Sequence, residues 1–405
     1  MLTFSRHMER RPLTEGFNLA HLEDLVFNDP EEGLDLSLNL LNDLVKQLST
    51  PKYNMTMSVT TKWDGAPAIV VGYDSAGKYF VSLKGAIGSK NPKICYSEKD
   101  IDTHYEGEVA NKLKDCFRLL KSVIPSRGIY QGDLLFTRGT KKDETINGVA
   151  NIAFRPNTIT YAVPKDTPMG KKIQAAEMGI VFHTEYRGND FSSLSSAPLT
   201  STASFKQSTK VWFTDAKLPT PPSGAFVPPS EAATIAAIVK QINAIKATAL
   251  SAAKLMATKP WWDVLKPTIN AAIRAGVSSV NTAMLKTHLT TKSTAAIAKL
   301  KTDAGKKKKQ GELDDALKFI DTYATQIDNL FKVHGLIAQA KLVIVNQLAI
   351  AANGIGTYVP TDNGLKATAP EGFVAVCGKT CQVIKLVDRM EFSRMNFNLA
   401  KDWKK

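Results

Sequence analysis

From Ser230 to about Asn353 the chain is rich in Ala, Lys, Leu and Ile and shows almost no apolar–polar alternation, yet strand-like runs stand on both sides of it. A stretch of that texture reads as helix. The sheet formed by the flanking runs must therefore be interrupted by a helical excursion and closed again after it. Ser230-Glu231-Ala232, just past Pro229, is a helix start, and the spacing predicts helices over 231–257, 261–275, 278–302, 312–329 and 331–352. The breaks fall at Pro260, Gly276, a 305–311 loop and near Phe331.

The flanks fix the rest of the organisation. Leucines at helical spacing over 1–50, broken at Pro30 and Gly33, predict two amphipathic helices. Short runs beginning at Met57, Ala68, Tyr79, Ile129, Thr158 and Gly179 are separated by Gly, Asp, Asn and Pro, as strands of a mostly antiparallel sheet should be, with one packed helix from Val109 to Lys121. The Ser/Thr-rich 192–204 stretch and the prolines after Leu218 read as linker. Strand texture returns at Gly372 and again at Cys381. The expected fold class is α+β. It comprises an N-terminal helical segment (1–50), a first core part (51–205), a linker (206–230), a basic helical insertion (231–358) and a second core part (366–405).

Lys and Arg number 52 against 38 Asp and Glu, a net charge of +14, which makes a polyanion the expected partner. The 231–353 stretch holds 17 basic and 8 acidic residues, so 17 − 8 = +9 of that excess lies there. Lys306, Lys307, Lys308 and Lys309 are the sharpest candidates for phosphate contact, against the plainer reading of a solvated loop. The opening residues lack the apolar stretch of a signal peptide, and no window offers about 20 apolar residues for a membrane span. The expectation is a soluble, cytoplasmic protein with no membrane partner. Four scattered cysteines fit a reducing compartment, and Cys377 and Cys381 could form half of a zinc site that no second pair completes.

The chemistry gathers on a few charges that interrupt apolar runs. Lys62-Trp63-Asp64-Gly65 ends a strand-like stretch with a lysine, an acid two positions on, and a glycine that forces a turn. A lysine so placed can act as a nucleophile once its amine is neutral; the plainer reading is a surface turn with an Asp-Gly corner. Asp133 follows a glycine inside Gln131–Phe136, Glu371 precedes Gly372-Phe373-Val374, and Lys385 stands alone in Val383–Val387. Such charges are expected in apolar strands only if they meet in a shared cleft. Two carboxylates and two lysines converging would suit a triphosphate and a divalent metal.

In this order the motifs resemble those of the covalent nucleotidyltransferase superfamily: the ATP-dependent RNA and DNA ligases and the mRNA capping guanylyltransferases. The whole chain is similar to RNA-ligase-like proteins of large tailed bacteriophages. The resemblance implies an antiparallel-sheet adenylation core, ATP and Mg²⁺ (or Mn²⁺) as cofactors, and a lysyl-AMP intermediate on Lys62 that passes AMP to a 5′-phosphate before a 3′-hydroxyl displaces it. Asp64 and Gly65 would shape the loop of the nucleophile, and Asp133 and Glu371 would contact nucleotide or metal. Lys385 would touch the α-phosphate. The superfamily's arginine after the first motif is missing, with Lys84 the nearest replacement, and its second motif-five lysine is Val387, for which Arg389 could substitute. Phe182 and Tyr161 are candidates to stack on the base, although core packing suits both. His183 beside Glu185 could form a catalytic pair, but alternation places both on the strand face opposite Phe182, which favours a packed histidine. Arg155 could meet phosphate or hold a turn.

Twenty residues follow Lys385, too few for the five-stranded oligonucleotide-binding barrel of DNA ligases and capping enzymes. That favours an RNA ligase acting as a monomer on 5′-phosphate and 3′-hydroxyl ends, in the host cytoplasm if phage-encoded, with Trp261 and Trp262 able to stack on bases or to plug the bundle. A DNA ligase, a guanylyltransferase and a nucleic-acid-binding protein with a decayed nucleotide site are the alternatives.

Overall fold

A computed structural model describes residues 20–51, 57–199, 201–219, 221, 223–352, 355–362, 364–377 and 383–393. In chain order the elements are β1 (Ala20–His21), α1 (Gly33–Leu48), β2 (Met57–Lys62), β3 (Ala68–Tyr73), β4 (Tyr79–Leu83), α2 (Glu98–His104), α3 (Gly107–Leu120) and β5 (Ile129–Phe136). There follow β6 (Lys141–Ile146), β7 (Val149–Phe154), β8 (Thr160–Pro164), α4 (Pro168–Ala175), β9 (Met178–Arg187), β10 (Ser195–Pro198) and β11 (Val211–Asp215). The helices α5 (Pro229–Met256), α6 (Leu265–Arg274), α7 (Thr282–Ala298), α8 (Asp303–Thr322) and α9 (Ala324–Ala351) come next. The chain then returns to strands β12 (Gly356–Thr361), β13 (Gly364–Ala367), β14 (Gly372–Cys377) and β15 (Val383–Leu386).

The fold is mixed α+β with three mainly antiparallel sheets, in the orders β1-β15-β14-β2, β10-β9-β5-β3-β4 and β13-β12-β8-β7-β6. Only β1 on β15 and β11 on β9 pair in parallel among the described strands. Strands that follow the helices pair with strands that precede them: β14 lies on β2 and β12 on β8. Long-range pairing of this kind ties the two ends of the chain together around the helical excursion.

Alternation decides which face of each strand meets the helices. In the first sheet Met57, Val59, Phe373, Ala375, Ile384 and Leu386 join one apolar core with α1, α5 and α9. In the second, Ile69, Val71, Val81, Ile180 and Phe182 pack on Ile101 of α2 and on Leu113 and Cys116 of α3. Phe154, Tyr161 and Val163 of the third sheet build a smaller core with Ile173 of α4.

Several expectations are corrected. The 305–311 segment is not a loop: Lys306, Lys307, Lys308 and Lys309 lie in the first turns of α8, whose start is capped by the Thr302 hydroxyl accepting from the Gly305 N–H. Both glycines are tolerated because the segment is solvent-facing, and lysine is a good helix former. The next break falls at Tyr323 rather than Phe331. The expected linkers contain β10 and β11, both on β9. Two hairpins, β6–β7 and β12–β13, add to the strands expected from the sequence. The first turns on Asn147 (φ 51°) and Gly148 (φ 79°), the dipeptide that favours a tight hairpin. Among the described residues of the N-terminal segment only α1 is a full helix, and Glu23–Phe27 is a single 3-10 stretch. The opening residues and Cys381 lie outside the described residues.

Among the described helices α9 is long and apolar enough, by length and composition, to cross a membrane, although Asp328, Lys332 and Lys341 leave it without a run of 20 apolar residues. The reason is visible in its packing: Ile327, Leu330, Val333, Ile337, Ala340, Ile344 and Leu348 are buried against the bundle core, and a helix covered on several sides reads apolar nearly all round.

An ionic cluster fastens the N-terminal segment to α9 and to the turn after β15. Lys341 Nζ donates to Glu23 Oε1 at 2.6 Å, with side-chain exposures of 3% and 1%. Arg389 donates to Asp24 at 2.8 Å and to Asn270 at 2.5 Å, and His334 Nε2 lies 3.1 Å from Asp24.

Candidate functional site

β2 ends at Lys62, out of phase with Met57 and Val59, so its side chain leaves the sheet on the face away from the helices. Lys385 alternates in the same way with Ile384 and Leu386 and shares that face. Gly372 is the register partner of Lys62, which sets the preceding residue beside the strand end. Lys62 Nζ accordingly lies 2.5 Å from Glu371 Oε2. A glycine is needed here: at φ 150° a Cβ on Gly372 would fall 2.5 Å from the Leu386 carbonyl oxygen.

Glu371 is buried, and burial pushes its carboxyl pKa up despite the Lys62 ammonium beside it. Lys385 is half-buried; burial pulls its pKa down, Lys62 adds to that shift, Glu371 opposes it, and Lys84 lowers it further. Three lysines therefore share one field. Lys84 itself is exposed, in the 3-10 turn that follows β4.

The loop after Lys62 is held by its own acid. The Asp64 carboxylate accepts from Asn157 Nδ2 at 2.7 Å and from the backbone N–H groups of Thr158 and Ile159 at 2.6 and 2.7 Å. The Asp64 N–H donates to the Tyr161 hydroxyl at 2.7 Å, and Trp63 packs on the Tyr161 ring at 5.0 Å between centroids. Arg155 donates to the Asn157 carbonyl and so steadies the turn that presents Asn157. Asp64 positions the loop; its oxygens are already engaged.

Gly65 then brings the second sheet into the site. A Cβ there would stand 2.5 Å from Asp133 Cβ, and the adjoining Ala66 N–H donates to the Leu134 carbonyl at 2.9 Å. Asp133 adds to the upward shift of Glu371. His183 is the residue that sequence reasoning misplaces: Nε2 is 3.4 Å from Asp133 Oδ2, and Nδ1 bonds the Thr184 hydroxyl at 2.8 Å. Its alternation opposite Phe182 is legible, but that face is the one Asp133 occupies once β5 pairs with β9.

Lys62, Asp64, Gly65, Lys84, Asp133, Glu371 and Lys385 thus gather where the first two sheets meet. Other candidates do not. Phe182 is fully buried, packed edge-on against Phe205 and Phe213, and has no face for a base. Tyr161 is buried too and serves Asp64. Arg389 is drawn away to Asp24 and Asn270, because two acids in the N-terminal segment supply a closer counter-charge. Trp261 and Trp262 plug the bundle against Phe319 and Phe27.

Lys306–Lys309 belong to α8 rather than to this cluster. Among the described residues no three His, Cys, Asp or Glu groups converge as a metal cage. The pair Asp133 and Glu371 fits the other mode, in which Mg²⁺ takes one or two carboxylates and completes its shell with water and substrate phosphate.

No curated protein and no solved structure matches the chain. A family model, described as a family of unknown function (DUF6267), matches residues 17–401, and the chain belongs to that family.

Proposed function

We propose that the chain is an ATP-dependent polynucleotide ligase, acting on RNA in preference to DNA, built on a nucleotidyltransferase-type core. The observation that carries this reading is the contact of Lys62 with Glu371, with Lys385 on the same sheet face. In the first step Lys62 Nζ attacks the α-phosphorus of ATP: an N–P bond forms, the bond to the pyrophosphate oxygen breaks, and pyrophosphate leaves. Glu371, its affinity for protons raised by burial, is the nearest group to take the proton that Nζ must lose. Lys385 and Lys84 offset phosphate charge. A terminal 5′-phosphate oxygen then displaces Lys62 from the AMP, and a 3′-hydroxyl displaces AMP from the capped end. Asp133 and Glu371 would hold Mg²⁺, which when bound supplies charge neutralisation on the phosphates.

Intact-mass measurement after incubation with Mg²⁺ and either ATP or GTP tests this. A gain of one AMP, absent in Lys62→Ala, is the expected result. A GMP adduct instead would make the chain a guanylyltransferase. Folded protein that gains neither nucleotide would favour a second reading, a nucleotide-site protein that binds without reacting. That reading is supported by the commitment of Arg389 to Asp24, which leaves Lys385 without a second cation among the described residues of its own segment.

A further inference from the structure

Between Leu289 in α7 and Leu313 in α8 no residue is buried. The two helices turn back on each other through Lys299–Thr302, so their outer halves form an arm projecting about 15 Å beyond the last core residue, from ten residues at 1.5 Å each. Apart from Leu300, 38% exposed at the turn, the arm carries no exposed large apolar side chain, and it has no aromatic residue.

Its composition explains both facts. The arm holds seven lysines (292, 299, 301 and 306–309) against Asp303 and Glu312, so 7 − 2 = +5 of the chain's +14 is concentrated here. Two of those lysines are paired locally, Lys306 with Asp303 at 3.7 Å and Lys309 with Glu312 at 2.7 Å. Lys292, Lys299, Lys301, Lys307 and Lys308 have no ion pair among the described residues. Their charges repel one another, and of the five Lys308 alone is near enough to an arm carboxylate, Glu312, to lower that group's pKa. Thr, Ala and Ser fill most positions between them, which keeps the arm narrow and limits its large apolar side chains to Ile297 and Leu300.

We propose that this arm is a docking surface for the phosphate backbone of a nucleic acid, gripped by lysines from both helices. It rests on the ligase reading for the kind of polymer but not for any catalytic step. Five unpaired cations on a projecting rod suit a line of phosphates, whose condensed counterions are released on contact. The absence of aromatics excludes base stacking by the arm, so its grip is indifferent to sequence. An anionic membrane is the less favoured partner, since the arm has no apolar face to insert.

The test compares the intact chain with a variant in which Lys292, Lys299, Lys301, Lys307 and Lys308 are all changed to Gln. A control of equal charge loss changes Lys142, Lys171, Lys172, Lys240 and Lys254, which are exposed elsewhere. Binding of a fluorescent single-stranded RNA and of a DNA duplex is measured by anisotropy across a salt series, with circular dichroism to establish folding. The arm variant should bind at least tenfold more weakly, and its slope of log affinity against log salt on duplex should fall by about 3–4, at roughly 0.9 for each phosphate that is no longer neutralised. The control should keep most of the affinity.

Equal losses in both variants, or no change in either, would overturn the proposal. So would arm-dependent binding to phosphatidylserine vesicles without oligonucleotide binding. Nucleotide labelling of the same proteins separates the two readings: loss of labelling in Lys62→Ala leaves arm binding intact, whereas the arm variant keeps its labelling.

Discussion

Glu371 and Lys62 come from opposite ends of the chain, yet the pairing of β14 with β2 sets carboxylate and amine 2.5 Å apart. The pair is unevenly buried, with side-chain exposures of 10% for Glu371 and 28% for Lys62. Burial raises the Glu371 pKa, so the ionised carboxylate is held at a cost that its lysine does not fully repay. A group whose folded pKa lies above its unfolded value loses native stability as pH rises through that interval. Glu371→Gln should therefore leave the melting temperature at neutral pH unchanged or higher, while nucleotide labelling slows about 100-fold or more. A fall in melting temperature with normal labelling would make the pair a structural ion pair and nothing else.

Asp64 is the opposite case, a carboxylate whose bonds are all internal. Asp64→Ala strands the buried N–H groups of Thr158 and Ile159 and frees Asn157. The expected cost is about 3 kcal/mol, since bonds to a charged acceptor contribute roughly 1.5–3 kcal/mol each and do not add. Urea denaturation measures it; a loss below about 1 kcal/mol would mean that water replaces these bonds freely.

Much of this is legible in the residues. The strand ending at Lys62, the charges of Asp133, Glu371 and Lys385, and the helical texture from Ser230 onward all follow from local pattern, because alternation and helical spacing reflect burial of one face. What local pattern misses depends on partners distant in sequence. His183 joins Asp133 only through the β5–β9 pairing, and Arg389 turns away from the site because Asp24 and Asn270 meet it from two other elements. The β6–β7 hairpin is different, since Asn147-Gly148 is a local signal strong enough to find it. Lys306–Lys309 mislead because two glycines suggest a loop, whereas an exposed helix accepts glycine at a cost of about 1 kcal/mol.

Acid should loosen the N-terminal segment in two stages. Burial lowers the His21 pKa from 6.5 to about 4. The unfolded chain then takes up a proton that the native chain refuses, and native stability falls as pH drops from about 6.5 to about 4. Asp24 is held well below its ordinary range: burial works the other way, but the His334 hydrogen bond and the nearby Arg389 prevail. Its contribution is present at neutral pH and is lost only at lower pH, as the carboxylate protonates. Allowing for the part exposure of His21, the first stage is worth roughly 2 kcal/mol. His21→Gln should flatten the stability profile between pH 6.5 and 4 and leave the lower stage in place; an unchanged profile would assign the first stage to other groups.

The Glu23–Lys341 pair makes the sharpest energetic prediction, because neither partner touches solvent to any useful extent. Lys341→Met removes the main counter-charge of the buried Glu23 carboxylate, whose pKa is held down chiefly by that lysine against the cost of burial. The expected loss is about 3–5 kcal/mol in urea denaturation. Glu23→Met with Lys341→Met removes both charges and fills similar volume, so it should recover most of that loss or exceed the native stability. Arg389 lies 3.9 Å from Glu23 and could take over part of the pairing. In that event the single variant would lose less than about 1 kcal/mol, and the double variant would gain nothing over it. Equal stabilities for single and double variants would therefore show that the cluster shares its charge rather than depending on one pair.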